Sequence, residues 1–316
     1  MPAPRASRLQ LGDNWPVLVF LGLLAVLIGL KGRFTGFDAH SLSVNAMPLT
    51  LIALGQFLVV LTRGVDLSLG PVASVAGAVM ALTLTDHPIL GLAAPVLIGL
   101  VAGFINGFFV ARLGLPPIIV TLATMSVWQG VALIVLPNPG GSMPTAFQAM
   151  ITGGFSSPIA GVAGVLLSII GGTWLLSTRF GLHLRAVGGD ENAARMSGVR
   201  VENVKAVAYV LAGLLAALGG MYLTTVTASG SPTAGDGYIL TSIAAVVIGG
   251  VPLSGGRGTS VGVAMGALIL TITGSLLYFA DISSFYQSVI DGLILLAVVG
   301  SGATREWLRS IATAPA

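Results

Sequence analysis

Three carboxylates mark where chemistry could sit in this mostly apolar chain: Asp66, Asp236 and Asp291. A carboxylate near the centre of a bilayer costs about 3 kcal/mol on insertion scales, so it must face a cavity or a partner. Asp66 lies in the turn Gly64-Val65-Asp66-Leu67-Ser68-Leu69-Gly70, where it can serve as a pathway or hinge residue. It can also cap the helix that starts at Leu67–Ser68. Asp236 falls in a loop. Asp291 falls in the last apolar stretch, where hydration or an interhelical hydrogen bond with Gln287 or Ser288 is expected rather than proton transfer. Proton relays use several Asp, Glu or His residues within the spans, but His40, His87 and His183 all lie in predicted loops. Metal sites need clustered ligands, and the sequence offers none. No catalytic residue, metal or cofactor is therefore expected.

Uncharged polar residues are more suggestive. Asn45, Gln56, Asn106, Thr121, Thr124, Gln129, Thr241, Ser242 and Gln287 are scattered through apolar segments. Hydroxyls and amides are the partners a polyhydroxylated solute requires. The same groups can instead hold neighbouring helices together. Gln56, Asp66, Ser68, Asn106 and Thr121 are taken as the substrate-pathway candidates. The run Gly255-Gly256-Arg257-Gly258-Thr259-Ser260 lacks the spacing and the lysine of a phosphate loop, so it reads as a tight turn. Gly258, Gly262 and Gly266 continue it as a close-packing helix face, as do Gly99, Gly103 and Gly107 beside Asn106.

The elements that must position these groups follow from composition. The chain is 55% hydrophobic and 8% charged, with no cysteine. Its mean hydropathy is +0.97. Such a balance specifies an integral membrane protein, with no disulfides and no room for a soluble catalytic domain in 316 residues. Basic residues in membrane loops account for the excess positive charge without nucleic acid. Apolar stretches at 15–30, 43–62, 67–85, 89–111, 118–136, 158–177, 206–226, 239–251, 259–280 and 285–300 predict an all-α polytopic transmembrane bundle of about ten spans. The first is read as an uncleaved helix, since no small-residue cleavage site follows it.

Charge tests that count. With a cytoplasmic N-terminus, Arg5, Arg8, Arg63, Arg112, Arg179, Arg185, Arg195, Arg200, Lys205, Arg257, Arg305 and Arg309 fall inside, and only Lys31 and Arg33 outside. This obeys the positive-inside rule and places both termini in the cytoplasm. The expectation is one permease domain over 1–316, with cytoplasmic tails at 1–14 and 301–316 and a cytoplasmic loop at 178–205. Within that loop Asp190 is an N-cap candidate for a short helix through Ser197, ended by Gly198. Such a helix suits an interfacial anchor or a knob for a cytoplasmic partner.

One segment occurs twice. Residues 64–82 and 250–268 align without a gap, with identity at ten of nineteen positions and a shared G-V-x-L-S-x-G turn. Paired interrupted hydrophobic segments in two halves point to a transport pathway built of broken helices. Span parity makes the copies parallel, whereas many transporters use inverted repeats.

On its motifs the chain resembles the permease subunits of ribose-type ABC importers, within the monosaccharide and branched-chain amino acid permease group. The resemblance runs from about Ser43 to Val299 and is carried by 58–70 (LVVLTRGVDLSLG), 117–125 (PIIVTLATM), 180–199 and 232–266 (PTAGDGYILTSIAAVVIGGVPLSGGRGTSVGVAMG). It implies that Gly189, Asp190, Glu191, Asn192, Ala193, Ala194, Arg195 and Gly198 form the segment that couples to a cytoplasmic ABC ATPase. It also implies a second permease subunit, identical or different, and a periplasmic sugar-binding protein, with solute passing between the two permease subunits. Members often carry Tyr-Glu-Leu where this chain has Tyr238-Ile239-Leu240, and several carry lysine or another residue at Asp291. Both departures bear on which sugar is carried.

The reading is thus a bacterial inner-membrane permease for a monosaccharide, pentose or hexose, or a related polyhydroxylated solute. The alternative is a gradient-driven secondary transporter of a small neutral solute, which would want more intramembrane charge. A membrane enzyme would need a carboxylate or metal cluster at one face, and a channel would be indifferent to ATP.

Overall fold

A computed structural model describes residues 15–153, 159–283, 286–287, 289–290, 292–293 and 296. They form an all-helical bundle, as a bilayer demands of a chain that must satisfy its own backbone hydrogen bonds. The helices are α1 (Trp15–Lys31), α2 (Gly36–Leu61), α3 (Leu69–Thr83), α4 (Pro88–Gly107), α5 (Pro117–Val135), α6 (Thr145–Thr152), α7 (Ile159–Ser177), α8 (Arg179–Gly189), α9 (Glu191–Met196), α10 (Val201–Thr227), α11 (Tyr238–Ile248) and α12 (Ser260–Phe279). A π-helical turn, Phe108–Arg112, prolongs α4. Among the described residues six helices are long and apolar enough to cross a membrane, and α1, α3 and α11 are shorter apolar helices. The expected tail segments and the Asp291 position lie outside the described residues, and of 285–300 only isolated helical positions are described.

Several boundaries differ from the sequence reading. α2 begins at Gly36 rather than 43, because Thr35 and Asp38 form a capping box that starts the helix early. His40 therefore lies in a helix and is buried, not in a loop. α10 starts at Val201 rather than 206, since Glu202 pairs with Arg195 at 2.5 Å and Lys205 with Glu191 at 2.6 Å. The 178–205 loop is mostly helix, and His183 sits on α8. α11 takes in Tyr238 but not Pro252, which has no N–H to continue it. α6 carries no hydrophobic run long enough to have been marked.

α10 and α2 are the central posts, with α10 packed on α2, α3 and α4. The α4–α10 seam is backbone against backbone. A Cβ on Gly99 would stand 2.5 Å from the Gly213 oxygen, and one on Gly103 would stand 2.3 Å from the Tyr209 oxygen. The α11–α12 seam repeats the device, with Gly262 and Gly266 lying on Gly249 and Ala245. Small residues here let dispersion and close approach replace the hydrophobic drive that lipid removes.

The two repeat turns meet at one end of the bundle, where the Gly256 N–H donates to the Leu61 oxygen at 3.1 Å. Both following helices, α3 and α12, leave from that end, so the copies run parallel. The shared motif nonetheless folds differently. Ser68 leads directly into α3, but Pro252, Gly255, Gly256 and Gly258 delay α12 to Ser260, behind the cap of Thr259.

Candidate functional site

Asp66 sits at 1% exposure between α2, α3, α4 and α5. Its Oδ1 accepts from the Ser68 N–H at 2.9 Å and from Ser68 Oγ at 2.7 Å, an Asx turn that enters α3. The helix starts at Leu69, two residues later than expected. Asn106 Nδ2, from the last turn of α4, reaches Asp66 Oδ2 at 3.1 Å and Ser68 Oγ at 2.8 Å. The Asn106 oxygen accepts from Thr124 Oγ1 at 2.8 Å, and Thr121 Oγ1 donates to the Val65 oxygen at 3.2 Å. The Gln56 amide, oriented by its partners, donates to the Asp66 oxygen at 2.8 Å and accepts the Asp66 N–H at 3.2 Å. Thus all five pathway candidates, Gln56, Asp66, Ser68, Asn106 and Thr121, belong to one hydrogen-bonded network, each almost fully buried.

Sequence reasoning missed the wall of this site. Tyr209 on α10 is fully buried, and its hydroxyl has no partner among the described residues. A Cβ on Gly64 would stand 2.6 Å from that hydroxyl, so Gly64 makes room for it. No described Lys or Arg makes an ion pair with Asp66. Its compensation comes from neutral donors, which makes each of them valuable.

The end of the bundle beyond Asp66 is basic. Thr178 caps α8, whose Gly181, Leu184, Val187 and Gly188 face inward. Asp190 then does two jobs: its N–H closes α8 on the Ala186 oxygen at 3.0 Å, and its Oδ1 caps α9 through the Ala193 N–H at 2.9 Å. Gly198, at φ 82°, ends α9, and the Val199 N–H returns to the Ala194 oxygen at 3.1 Å. The short helix expected from Asp190 therefore forms. Ala194 anchors it, whereas Asn192, Ala193, Arg195 and Met196 are exposed. Arg63, in the first repeat turn, donates from Nε to the Gly188 oxygen at 2.7 Å and from Nη2 to the Gly189 oxygen. Arg112 Nη2 donates to Asn203 Oδ1 at 2.7 Å.

The opposite end carries a cavity of about 790 Å³ between α1, α2, α11, α12 and Gln287. Asp38, Ser41 and Asn45 line one face of α2, Tyr238 and Thr241 the first turn of α11, and Thr271 and Ser275 the end of α12. Asn45, Thr241 and Gln287 were among the polar residues singled out by sequence, while Ser41, Thr271 and Ser275 gave no signal. At this end Gly140 and Gly230 pair backbone to backbone, at 3.0 and 2.9 Å. Among the described residues no group of His, Cys, Asp or Glu could hold a metal ion.

Known proteins resemble this chain along most of its length. The ribose import permease protein RbsC of Bacillus subtilis (strain 168) is 41% identical over 255 residues, covering 79% of both chains. The L-arabinose transport system permease protein AraH of Escherichia coli (strain K12) is 34% identical over 308 residues, covering 94% of this chain and 93% of its own. The autoinducer 2 import system permease protein LsrC of Yersinia pseudotuberculosis serotype O:1b (strain IP 31758) is 35% identical, covering 91% of this chain and 83% of its own. No solved structure matches the chain. The family described as "Branched-chain amino acid transport system / permease component" matches residues 39–299, a stretch that holds the Asp66 network, the Arg63 clasp and α9, and the chain belongs to that family.

Proposed function

We propose that this chain is the permease subunit of an ATP-driven importer that carries a monosaccharide, or a related polyhydroxylated solute, across a bacterial inner membrane. The observation that carries the proposal is the capped, outward-facing α9, clasped to the bundle by Arg63, in a chain whose relatives are sugar import permeases. Gly189, Asp190, Glu191, Asn192, Ala193, Ala194, Arg195 and Gly198 form the coupling segment that docks on a cytoplasmic ABC ATPase. A short helix capped at its N-terminus and tied to α10 through Ala194 and the Arg195–Glu202 and Glu191–Lys205 pairs suits that role, because it can transmit a push without unfolding.

The polypeptide crosses the membrane about ten times as one permease domain, with both termini cytoplasmic. The gathering of Arg63, Arg112, Arg185, Arg195 and Lys205 at one end of the bundle supports this orientation. A second permease subunit completes the pathway, and a periplasmic sugar-binding protein delivers solute to the other end. The Asp66 network borders the pathway as a hinge, and its support is the convergence of α2, α3, α4 and α5 on one carboxylate. The protein moves its solute unchanged and uses no cofactor.

The test is a mild-detergent pull-down of the tagged chain from native membranes, with partners identified by mass spectrometry. Recovery of an ABC-type ATPase, lost when 190–195 is replaced by a Gly/Ser linker, is the expected result. Recovery of the chain alone across detergents, with uptake that collapses on adding an uncoupler, would instead identify a gradient-driven carrier.

A further inference from the structure

The cavity at the end opposite α9 has a chemistry of its own, distinct from the closed Asp66 network. From Asp38 to Leu49 its lining runs down one face of α2, about 16 Å at 1.5 Å per residue, or roughly half the thickness of a bilayer core. A volume near 790 Å³ lies within the range of small-molecule sites, about 300–1,000 Å³.

Part of its hydrogen-bonding capacity is unspent. Asn45 is exposed in the middle of α2 although Val44 and Ala46 beside it are buried. Its Nδ2 donates to the Ser41 oxygen at 2.8 Å, and its Oδ1 accepts nothing from the described residues. The Gln287 amide lies over Gly274, where a Cβ would meet its Nε2 at 2.8 Å, and it also has no hydrogen-bond partner among the described residues. Thr241, Thr271 and Ser275, which line the space, donate their protons to backbone oxygens four residues earlier and keep acceptor capacity on their hydroxyls. Polar groups left open at membrane depth are costly unless water or a solute meets them.

Charge and shape narrow the ligand. The charged residues of the described lining, Lys31 and Asp38, neutralise one another in an ion pair, and Lys31 also sits 5.0 Å over the Phe279 ring. Among the described residues no free charge is offered to an ion. Tyr238, Tyr278 and Phe279 add aromatic surface, with Tyr278 78% exposed at the rim. Amides, hydroxyls and aromatic faces without net charge suit an uncharged ring that carries several hydroxyls.

We infer that this cavity, contained within a single chain, is a solute-binding vestibule for one uncharged polyhydroxylated ring, with Asn45 and Gln287 as its principal hydrogen-bonding residues. The inference rests on the importer reading for the identity of the solute as cargo.

The absence of cysteine from the chain makes a clean test possible. Single Ser41→Cys and Asn138→Cys variants of the full chain are labelled in right-side-out membrane vesicles with a membrane-impermeant thiol reagent, Ser41 lining the cavity one turn from Asn45 so that both amides stay in place. Asn138 is an exposed loop residue outside the cavity. The probes are D-ribose, L-arabinose, D-xylose, D-glucose and D-galactose, with the same vesicles pulled down for the ATPase. The vestibule predicts labelling at both positions, slowed at Ser41→Cys alone by at least one sugar. The slowing reaches about threefold at a sugar concentration of twice Kd. Labelling of Ser41→Cys that no sugar slows overturns the site, as does labelling seen only after lipid is stripped by detergent. An ATPase recovered without protection removes the vestibule and leaves the importer standing. Protection without an ATPase keeps the vestibule and removes the importer.

Discussion

Arg63 and Gly188, 125 residues apart in sequence, are joined by a 2.7 Å hydrogen bond from the guanidinium Nε to the glycine oxygen. A second bond to Gly189 completes a fork on the last carbonyls of α8. Arg63 holds this pose at φ 64°, in the left-handed region, one residue beyond the cap of α2. A cation on orphan carbonyls at a helix C-terminus also gains from the helix dipole. The link makes the first repeat turn and the α8–α9 corner a single unit, and Asp66 stands three residues further along that turn.

Arg63→Lys should therefore weaken the corner despite keeping the charge, because an ammonium cannot span two carbonyls as a planar fork does. Solute uptake is expected to fall about tenfold, equivalent to about 1.4 kcal/mol, with membrane insertion preserved. Uptake assays normalised to membrane-inserted protein provide the check. Wild-type uptake would reduce the clasp to a passive contact.

Gly188 and Gly189, adjacent in sequence, should respond unequally to alanine. A Cβ on Gly188 would lie 1.8 Å from the Leu61 oxygen and 2.5 Å from the Gly256 nitrogen, both backbone, whereas one on Gly189 would meet nothing within 4 Å. Gly188→Ala is expected to cost about 1–3 kcal/mol or more as overpacking, and Gly189→Ala almost nothing. Thermal unfolding of the two variants in one detergent decides it, with a lowered Tm for the first alone.

Asp66→Ala takes the buried acceptor from the Ser68 N–H and hydroxyl, at a cost of about 1–3 kcal/mol for each orphaned donor, and leaves Asn106 Nδ2 only its bond to Ser68 Oγ. The expected result is impaired transport with a lowered Tm. Asp66→Asn keeps an acceptor for Ser68 but brings a second amide against Asn106, and should fall between. Wild-type transport by Asp66→Ala at normal expression would demote the network to a dispensable cap.

The α4–α10 seam allows a sharper contrast. Gly103→Ala drives a methyl to 2.3 Å from the Tyr209 oxygen and 2.7 Å from the Val210 Cα, while Gly130→Ala adds one to open space. Poor expression or aggregation is expected for the first and wild-type behaviour for the second, read by size-exclusion chromatography. A well-behaved Gly103→Ala would mean that α4 and α10 can separate freely.

Much of this architecture is local and could be read directly. Runs of apolar residues mark α1 to α5, α7 and α10 to α12, since a membrane span needs only length and the absence of charge. Asp190 and Gly198 predict α9 because caps act within one turn. The glycines at 99, 103 and 107 predict a close seam by their spacing, though not that α10 is its other side. Charged residues near a span misled in one place: Glu202 and Lys205 look like loop, yet they extend α10 because α9 supplies their counter-ions.

The sequence by itself thus determined a helical membrane protein, its direction changes, its capped short helix α9 and the residues able to carry polar contacts. Tertiary structure decided which of those residues meet. Gln56, Asp66, Asn106 and Thr121 close on one another, whereas Asn45, Thr241 and Gln287, of the same chemical types, open on a cavity. The physical reason is that helices apolar on every side carry no stripe to say which face turns inward. Partner choice then falls to backbone approach and to contacts between residues as far apart as Arg63 and Gly188.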